Sequence, residues 1–217
     1  MQPSSKHAPR KPLIVATGNL GKLHEFRALL ADLPFDLYGL GDLGVTPPKE
    51  SGASFLENAM LKARHAAAAA NMPAIADDSG LEVDALGGAP GLYSARYAGA
   101  GADDAANNAK LLGALAGTPS EKRGARYRCA LVYVRNAADP APLIAEGVWE
   151  GVILDVPRGS GGFGYDAYFF LPDLRKTAAQ LNSFDKNRLS HRGIALRALR
   201  EQLAAREQAA REQAARP

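Results

Sequence analysis

An α/β fold on a mixed β-sheet flanked by helices follows from three features of this sequence. Short apolar runs alternate with helix-period segments as far as Ala116. From Tyr127 to Val156 the pattern turns meander-like and strand-rich, as where a parallel sheet continues in antiparallel strands. The 217 residues are 47% hydrophobic and 23% charged. That is the composition of a packed chain and too apolar for a disordered one.

The elements can be taken in order. Pro12 to Ala16 is an apolar run bounded by Gly18 and Asn19, which reads as a buried strand. Leu20, Leu23, Leu29 and Leu30 recur at helical spacing through about Asp32, and Phe35 to Leu40 is a second strand. Ser54 followed by Glu57 is a capping-box signal, opening a helix that runs through the alanines to about Ala70. Pro73 to Ala76 is a brief strand ending in Asp77-Asp78-Ser79-Gly80, and Asp103 to Ala116 reads as helix. Tyr127 to Val134 and Leu143 to Val156 are strands, with bulges or bends expected at Gly147 and Gly151. A glycine-rich turn, Gly159 to Gly164, leads into Tyr165 to Leu171, and a closing helix starts near Ser190. Residues 1–11 read as a disordered leader, 12–204 as one domain and 205–217 as a solvated helical extension. In that extension Arg206 to Ala210 recurs as Arg211 to Ala215. A five-residue period turns about 140° per repeat, so no fixed face forms.

Charge and composition exclude several classes. Lys and Arg number 26 against 23 Asp and Glu, a net charge of +3. The sequence pI near 9.0 therefore makes no case for nucleic-acid binding. A single cysteine, Cys129, excludes an internal disulfide and a multi-thiolate zinc site. No run of ~20 apolar residues suggests a membrane-spanning helix. Met1 to Lys11 is polar and basic and lacks the apolar core of a signal peptide. A cytoplasmic location is expected, without membrane or nucleic-acid partners.

Four motifs could carry chemistry. Thr17-Gly18-Asn19-Leu20-Gly21-Lys22 stands between a strand and a helix, where free N–H groups and the positive dipole end suit phosphate. It lacks Walker A spacing, and it reads equally as a plain turn. Asp77-Asp78 after an apolar strand suits a hard cation such as magnesium, or an Asx-turn with one solvated carboxylate. Gly161 to Asp166 sets Phe163 among glycines, able to stack on a base or simply to pack in the core. Lys186 with Ser190-His191-Arg192 places cations and donors at a helix start, for an anion or as a solvated basic end.

Their ordered combination is more telling. The chain resembles the inosine/xanthosine triphosphate pyrophosphatase family from about Leu13 to Leu203. The likeness is carried by Ala16 to Asn19 with Lys22, Phe55-Leu56-Glu57-Asn58-Ala59 with Lys62-Ala63, and Ala76 to Leu81. It continues in Gly87 to Gly91 with Tyr93 to Arg96, Gly162 to Asp166, and Ser190 to Arg192. The resemblance implies an elongated, two-lobed fold with the active-site cleft between the lobes, and a homodimer. It implies Mg²⁺-dependent hydrolysis of non-standard purine nucleoside triphosphates. In such an enzyme Asp78 is the catalytic proton acceptor and, with Glu50, a metal ligand. Thr17, Gly18, Asn19, Leu20, Gly21 and Lys22 form the phosphate loop, and Ser79 and Lys186 are substrate contacts. Phe163, Gly164, Tyr165, Asp166, His191 and Arg192 form the base-recognition region. One departure is Ala167, where the family commonly has proline.

Overall fold

The structure, a computed structural model, describes residues 10–215. Seven strands form one mixed sheet among the described residues, in the order β2-β1-β3-β4-β5-β6-β7. They are β1 (Lys11–Val15), β2 (Phe35–Gly39), β3 (Ala74–Val83), β4 (Gly124–Val134), β5 (Leu143–Ile153), β6 (Phe169–Leu171) and β7 (Lys176–Thr177). The helices are α1 (Leu20–Leu29), α2 (Phe55–Ala70), α3 (Asp104–Ala114), α4 (Ser183–Leu189) and α5 (His191–Ala214). β1 pairs parallel with β2 and β3, and every later pairing is antiparallel.

Side-chain alternation sorts the core onto two faces. Leu13, Val15, Ile75, Leu131 and Tyr133 face α1 and α5, packing on Phe26, Leu30, Leu196 and Leu199. Ile14, Ala16, Ala74, Ala76, Ala130 and Val132 face α2. That helix meets them with Ala59, Ala63, Ala66 and Ala67, an i, i+4, i+7, i+8 stripe of small residues that brings it close to the sheet. A third core sits toward the far end of β3–β5, where Leu81, Tyr127 and Trp149 pack with Leu111, Tyr165 and Phe169. These separate cores give the chain two lobes joined by the long β3–β5 strands.

Several expectations change. β3 does not stop before the acidic pair; it runs through it, with Asp77 opposite Leu131 and Asp78 opposite Ala130. The reason is β4, whose ladder with β3 extends to Val83 and Ala125, while β1 pairs only as far as Val15 and Ile75. The bulges expected at Gly147 and Gly151 are absent, since the β4–β5 register is continuous from Gly124–Val152 to Tyr133–Leu143. Close approach, not bending, needs glycine there. A Cβ on Gly147 would collide with the His191 carbonyl, and one on Gly151 would lie 2.6 Å from Phe169. α4 is additional: seven residues with Phe184 74% exposed carry no apolar face to reveal it in the sequence.

The domain boundaries also shift. Lys11 already belongs to β1, and Arg10 Nη2 donates to the Phe35 carbonyl at 2.7 Å, so the sheet domain takes in residues 10 and 11; the rest of the expected leader, residues 1–9, lies outside the described residues. α5 crosses residue 204 without a break. Arg206 donates to the Ala141 carbonyl at 2.5 Å, and Glu207 pairs with Lys11 at 3.1 Å, so polar contacts dock the first turn of the extension.

Candidate active site

The loop after β1 leads directly into α1. Asn19 is the helix N-cap, its Oδ1 accepting from Lys22 N at 3.0 Å, and Thr17 Oγ1 accepts from Asn19 N at 3.1 Å. Leu20 is 81% exposed, so this end of the helix is open. A Cβ on Gly18 would meet nothing within 4 Å, whereas one on Gly21 would press on the Phe163 ring at 2.9 Å. The fold therefore needs glycine at 21 but not at 18, where the absent side chain leaves room for a ligand to reach the backbone. Gly18→Ala is expected to leave the melting temperature within about 2 °C while raising KM for a nucleoside triphosphate at least ten-fold. Paired thermal melts and steady-state kinetics check this; unchanged KM would make the residue an ordinary turn position.

Because β3 continues through them, Asp77 and Asp78 point to opposite faces of the sheet. Of the two readings their adjacency left open, a cation shared by the pair does not fit side chains on opposite faces. Asp77 faces α1 and α5. Its Oδ2 lies 2.9 Å from Lys22 Nζ and 3.0 Å from Arg192 Nη2. Burial opposes its ionisation, but Lys22, Arg192 and Lys62 together hold it well below the usual carboxylate range. Asp78 faces α2, where Lys62 Nζ is 2.7 Å from Oδ1 and Asn58 Nδ2 is 3.2 Å from Oδ2. For this carboxyl, burial outweighs Lys62, and its pKa is raised. Asn58 and Lys62 are one helical turn apart on α2, so both reach the same strand.

Lys62 also bonds Glu50 Oε1 at 3.1 Å, and Arg96 Nη1 lies 3.1 Å from Glu50 Oε2. Burial works against the Glu50 charge, but Lys62 and Arg96 prevail and lower its pKa. Glu50 and Asp78 thus converge on one ammonium. No group of three or more His, Cys, Asp or Glu able to hold a metal occurs among the described residues. Two carboxylates fit Mg²⁺ all the same, because that ion commonly keeps water and takes phosphate oxygens as its remaining ligands.

On the other face lies a cleft lined by Asn19, Lys22, Ser79, Ser94, Asp104, Phe163 to Asp166, Lys186, His191 and Arg192. Lys186 Nζ bonds Asp166 Oδ2 at 2.7 Å and Glu25 Oε1 at 3.0 Å, and stands 4.7 Å over the Phe163 ring. Arg192 is 2% exposed. Its guanidinium pairs with Glu25, donates twice to Asp77 Oδ2, and donates to Ser79 Oγ at 3.1 Å. Ser79 Oγ in turn donates to Asp77 Oδ2 at 3.0 Å. His191 stacks on Tyr127 with centroids 4.8 Å apart, and its Nδ1 is buried without a partner. Burial, aided by Arg192, pushes its pKa well below the ordinary imidazole value, so the ring is neutral beside Arg192 and the two do not repel.

This has a consequence for stability. Below the unfolded imidazole pKa of about 6.5, the unfolded chain binds a proton that buried His191 refuses. His191 therefore contributes a loss of stability as pH falls below about 6.5, with a slope of up to about 1.4 kcal/mol per pH unit. Urea unfolding between about pH 7 and about pH 5 should show a steeper fall for the wild type than for His191→Phe, which keeps a stacking ring. Parallel pH profiles would mean that the ring protonates within the fold.

The cleft gathers Asn19, Lys22, Ser79, Phe163 to Asp166, Lys186, His191 and Arg192, while Asp78 and Glu50 meet on Lys62 on the α2 side. Thr17, Gly18, Leu20 and Gly21 line neither group and belong to the loop and first turn of α1. The Ham1 family model matches residues 13–202. The chain belongs to the Ham1 family. A protein of Xanthomonas campestris named dITP/XTP pyrophosphatase is 56% identical over 195 residues, covering 90% of this chain and 98% of its own length. Another of that name, from Yersinia pseudotuberculosis, is 55% identical over 191 residues, covering 88% of this chain and 97% of its own. The structure of a HAM1 protein from Coxiella burnetii superposes with a TM-score of 0.82 at 45% identity, over 90% of this chain and 99% of that one.

Some of the residues that organise this Ham1 site were given no role by the sequence reading. Lys62 and Asn58 lay within a recognised motif, and their i, i+4 spacing was the available signal. Glu25, three residues after Lys22 on α1, was missed; its partners, Lys186 on α4 and Arg192 on α5, are distant in the chain and alone reveal it.

Proposed function

We propose that this chain is a pyrophosphatase that hydrolyses non-standard purine nucleoside triphosphates (ITP, dITP and XTP) to the monophosphate and pyrophosphate. The observation that carries the reading is Asp78, a buried carboxyl held by Lys62 and Asn58, with Glu50 on the same ammonium. The names of the Ham1 relatives support it. The α1 N-terminus, Lys22 and Lys62 receive the anionic triphosphate. Asp78 orients a water and takes its proton as the water oxygen bonds to the α-phosphorus. The bond from the α-phosphorus to the bridging oxygen breaks, and pyrophosphate leaves with the electron pair. Asp78 suits the base role because burial raises its proton affinity, whereas Asp77 is locked as an anion by Lys22 and Arg192. Glu50 and Asp78 would hold Mg²⁺, which supplies neutralisation of phosphate charge when bound.

On the base side, Phe163 to Asp166 with Lys186, His191 and Arg192 surround the purine. Arginine and lysine only donate, so they satisfy a 6-oxo group and oppose a 6-amino group. Opposed donors cost about 1–3 kcal/mol for each buried group left unpaired. Clearing such nucleotides keeps their bases out of DNA and RNA. A cytoplasmic homodimer is part of this proposal.

The test is pyrophosphate release from a panel of nucleoside triphosphates with and without Mg²⁺. The expected result is high kcat/KM for inosine and xanthosine triphosphates, poor use of adenosine triphosphate, and no turnover in excess chelator. Comparable turnover of adenosine triphosphate, or release of orthophosphate alone, would overturn it.

A further inference from the structure

The sequence Asp103-Asp104-Ala105-Ala106-Asn107-Asn108 at the start of α3 has no part in the chemistry above, yet Asn107 and Asn108 are both buried. Asp103 is explained as the N-cap, its Oδ1 accepting from Ala106 N at 2.8 Å. The others reach outward to the two walls of the cleft. Asp104 Oδ2 accepts from Gly164 N at 2.6 Å, and Asn108 Nδ2 donates to the Gly164 carbonyl at 2.9 Å. Both backbone groups of a single residue, lying between Phe163 and Tyr165, are thereby held by two side chains one helical turn apart. Gly164 has φ +63°, so this peptide has left the regular ladders and depends on such partners. Asn107 grips the opposite wall: its Oδ1 accepts from Ala98 N at 2.8 Å, and its Nδ2 donates to the Ala95 carbonyl at 3.3 Å. Tyr165 closes the ring by donating to the Ser94 carbonyl at 2.8 Å.

We infer that Asp104, Asn107 and Asn108 are positioning residues: α3 is the brace that fixes the gap between the Phe163–Tyr165 loop and the Ser94–Ala95 wall, into which the substrate's base fits. The inference rests on the proposed nucleotide chemistry and adds residues to it. The polarity of Asn108 is the decisive detail. Its amide is oriented by two carbonyls, Gly164 O and Asp104 O, the latter at 2.7 Å. Its Oδ1 is left buried with no partner. An unpaired buried acceptor costs stability, and leucine would fill the same space without that cost. The fold alone gives no reason for asparagine here; the grip on Gly164 does.

Asn108→Leu and Asp104→Ala are tested singly and together in the full chain. Amide hydrogen exchange over residues 161–166 is expected to quicken at least ten-fold in the double variant, with β4 and α5 unchanged. KM for inosine triphosphate is expected to rise about ten-fold while kcat stays within three-fold, because Asp78, Lys62 and the α1 loop are untouched. Asn108→Leu removes the unpaired Oδ1 but also takes the donor from the Gly164 carbonyl, two opposing effects. Its melting temperature is therefore expected to stay within about 4 °C of wild type, which separates positioning from a loss of folding. Unchanged exchange at 161–166 overturns the brace, and quickened exchange with unchanged KM overturns its role toward the base. If the wild type releases no pyrophosphate from any nucleotide, the proposed function fails by itself, and the exchange comparison still decides the brace.

Discussion

Asp78→Asn is expected to abolish pyrophosphate release while nucleotide affinity stays within ten-fold of wild type. The shapes are the same, and an amide oxygen can still accept from Lys62. Its nitrogen, however, would meet Asn58 Nδ2, a donor against a donor, and Asn58 cannot simply turn because its Oδ1 already holds Gly52 N at 2.8 Å. That clash costs about 1–3 kcal/mol of stability. The loss of the proton acceptor costs about 10²–10⁴-fold in kcat, the usual worth of a positioned general base. Affinity is spared because Lys22 and Lys62 remain, and Lys62, freed from one of its carboxylates, attracts phosphate more. Single-turnover kinetics with equilibrium nucleotide binding check both halves. A variant retaining more than a tenth of wild-type kcat would remove Asp78 from the base role.

The different fates of Asp78 and Asp77 show what was legible in the sequence. Adjacent acids after an apolar strand are visible as letters, and so are capping at Ser54, the alanine stripe of α2 and the opening β-α alternation, which are local patterns. Whether Asp77 and Asp78 share one site depends on where β3 ends. That is decided by β4, which lies about fifty residues further on in the chain and carries the ladder to Val83. The same distance hides Glu25 and the neutrality of His191, both fixed by partners brought in by folding. Gly147 misled for a related reason: a glycine in a strand signals a bulge or a close neighbour, and the neighbour here is the α5 backbone. Local rules located the strands and the chemistry-bearing residues, and non-local packing assigned their faces and their charges.

Arg192→Ala should be the most destabilising single change at the site. The guanidinium can donate through five N–H groups, and four contacts are already made, to Asp77 twice, Glu25 and Ser79. Removing it leaves Asp77 fully buried with Lys22 as its close cation and strands Glu25 with Lys186. Taking one partner from a buried ion pair costs about 3–5 kcal/mol. The single N–H left for a purine 6-oxo group could contribute about 1.5–3 kcal/mol as a charged hydrogen bond, so the brace outweighs the base contact. Two consequences follow for kinetics. Both inosine and adenosine triphosphate turnover should fall more than ten-fold together, because Lys22 and Ser79 lose their fixed positions with Asp77. The inosine-over-adenosine ratio should narrow by less than that common loss. Arg192→Lys, which restores a charge beside Asp77 but not the fork to Glu25, should recover part of the stability and little of the activity. Urea unfolding and kcat/KM on the two substrates separate the alternatives. If Arg192→Ala melts like wild type and changes only the ratio, the guanidinium reads the base and does not hold the site together.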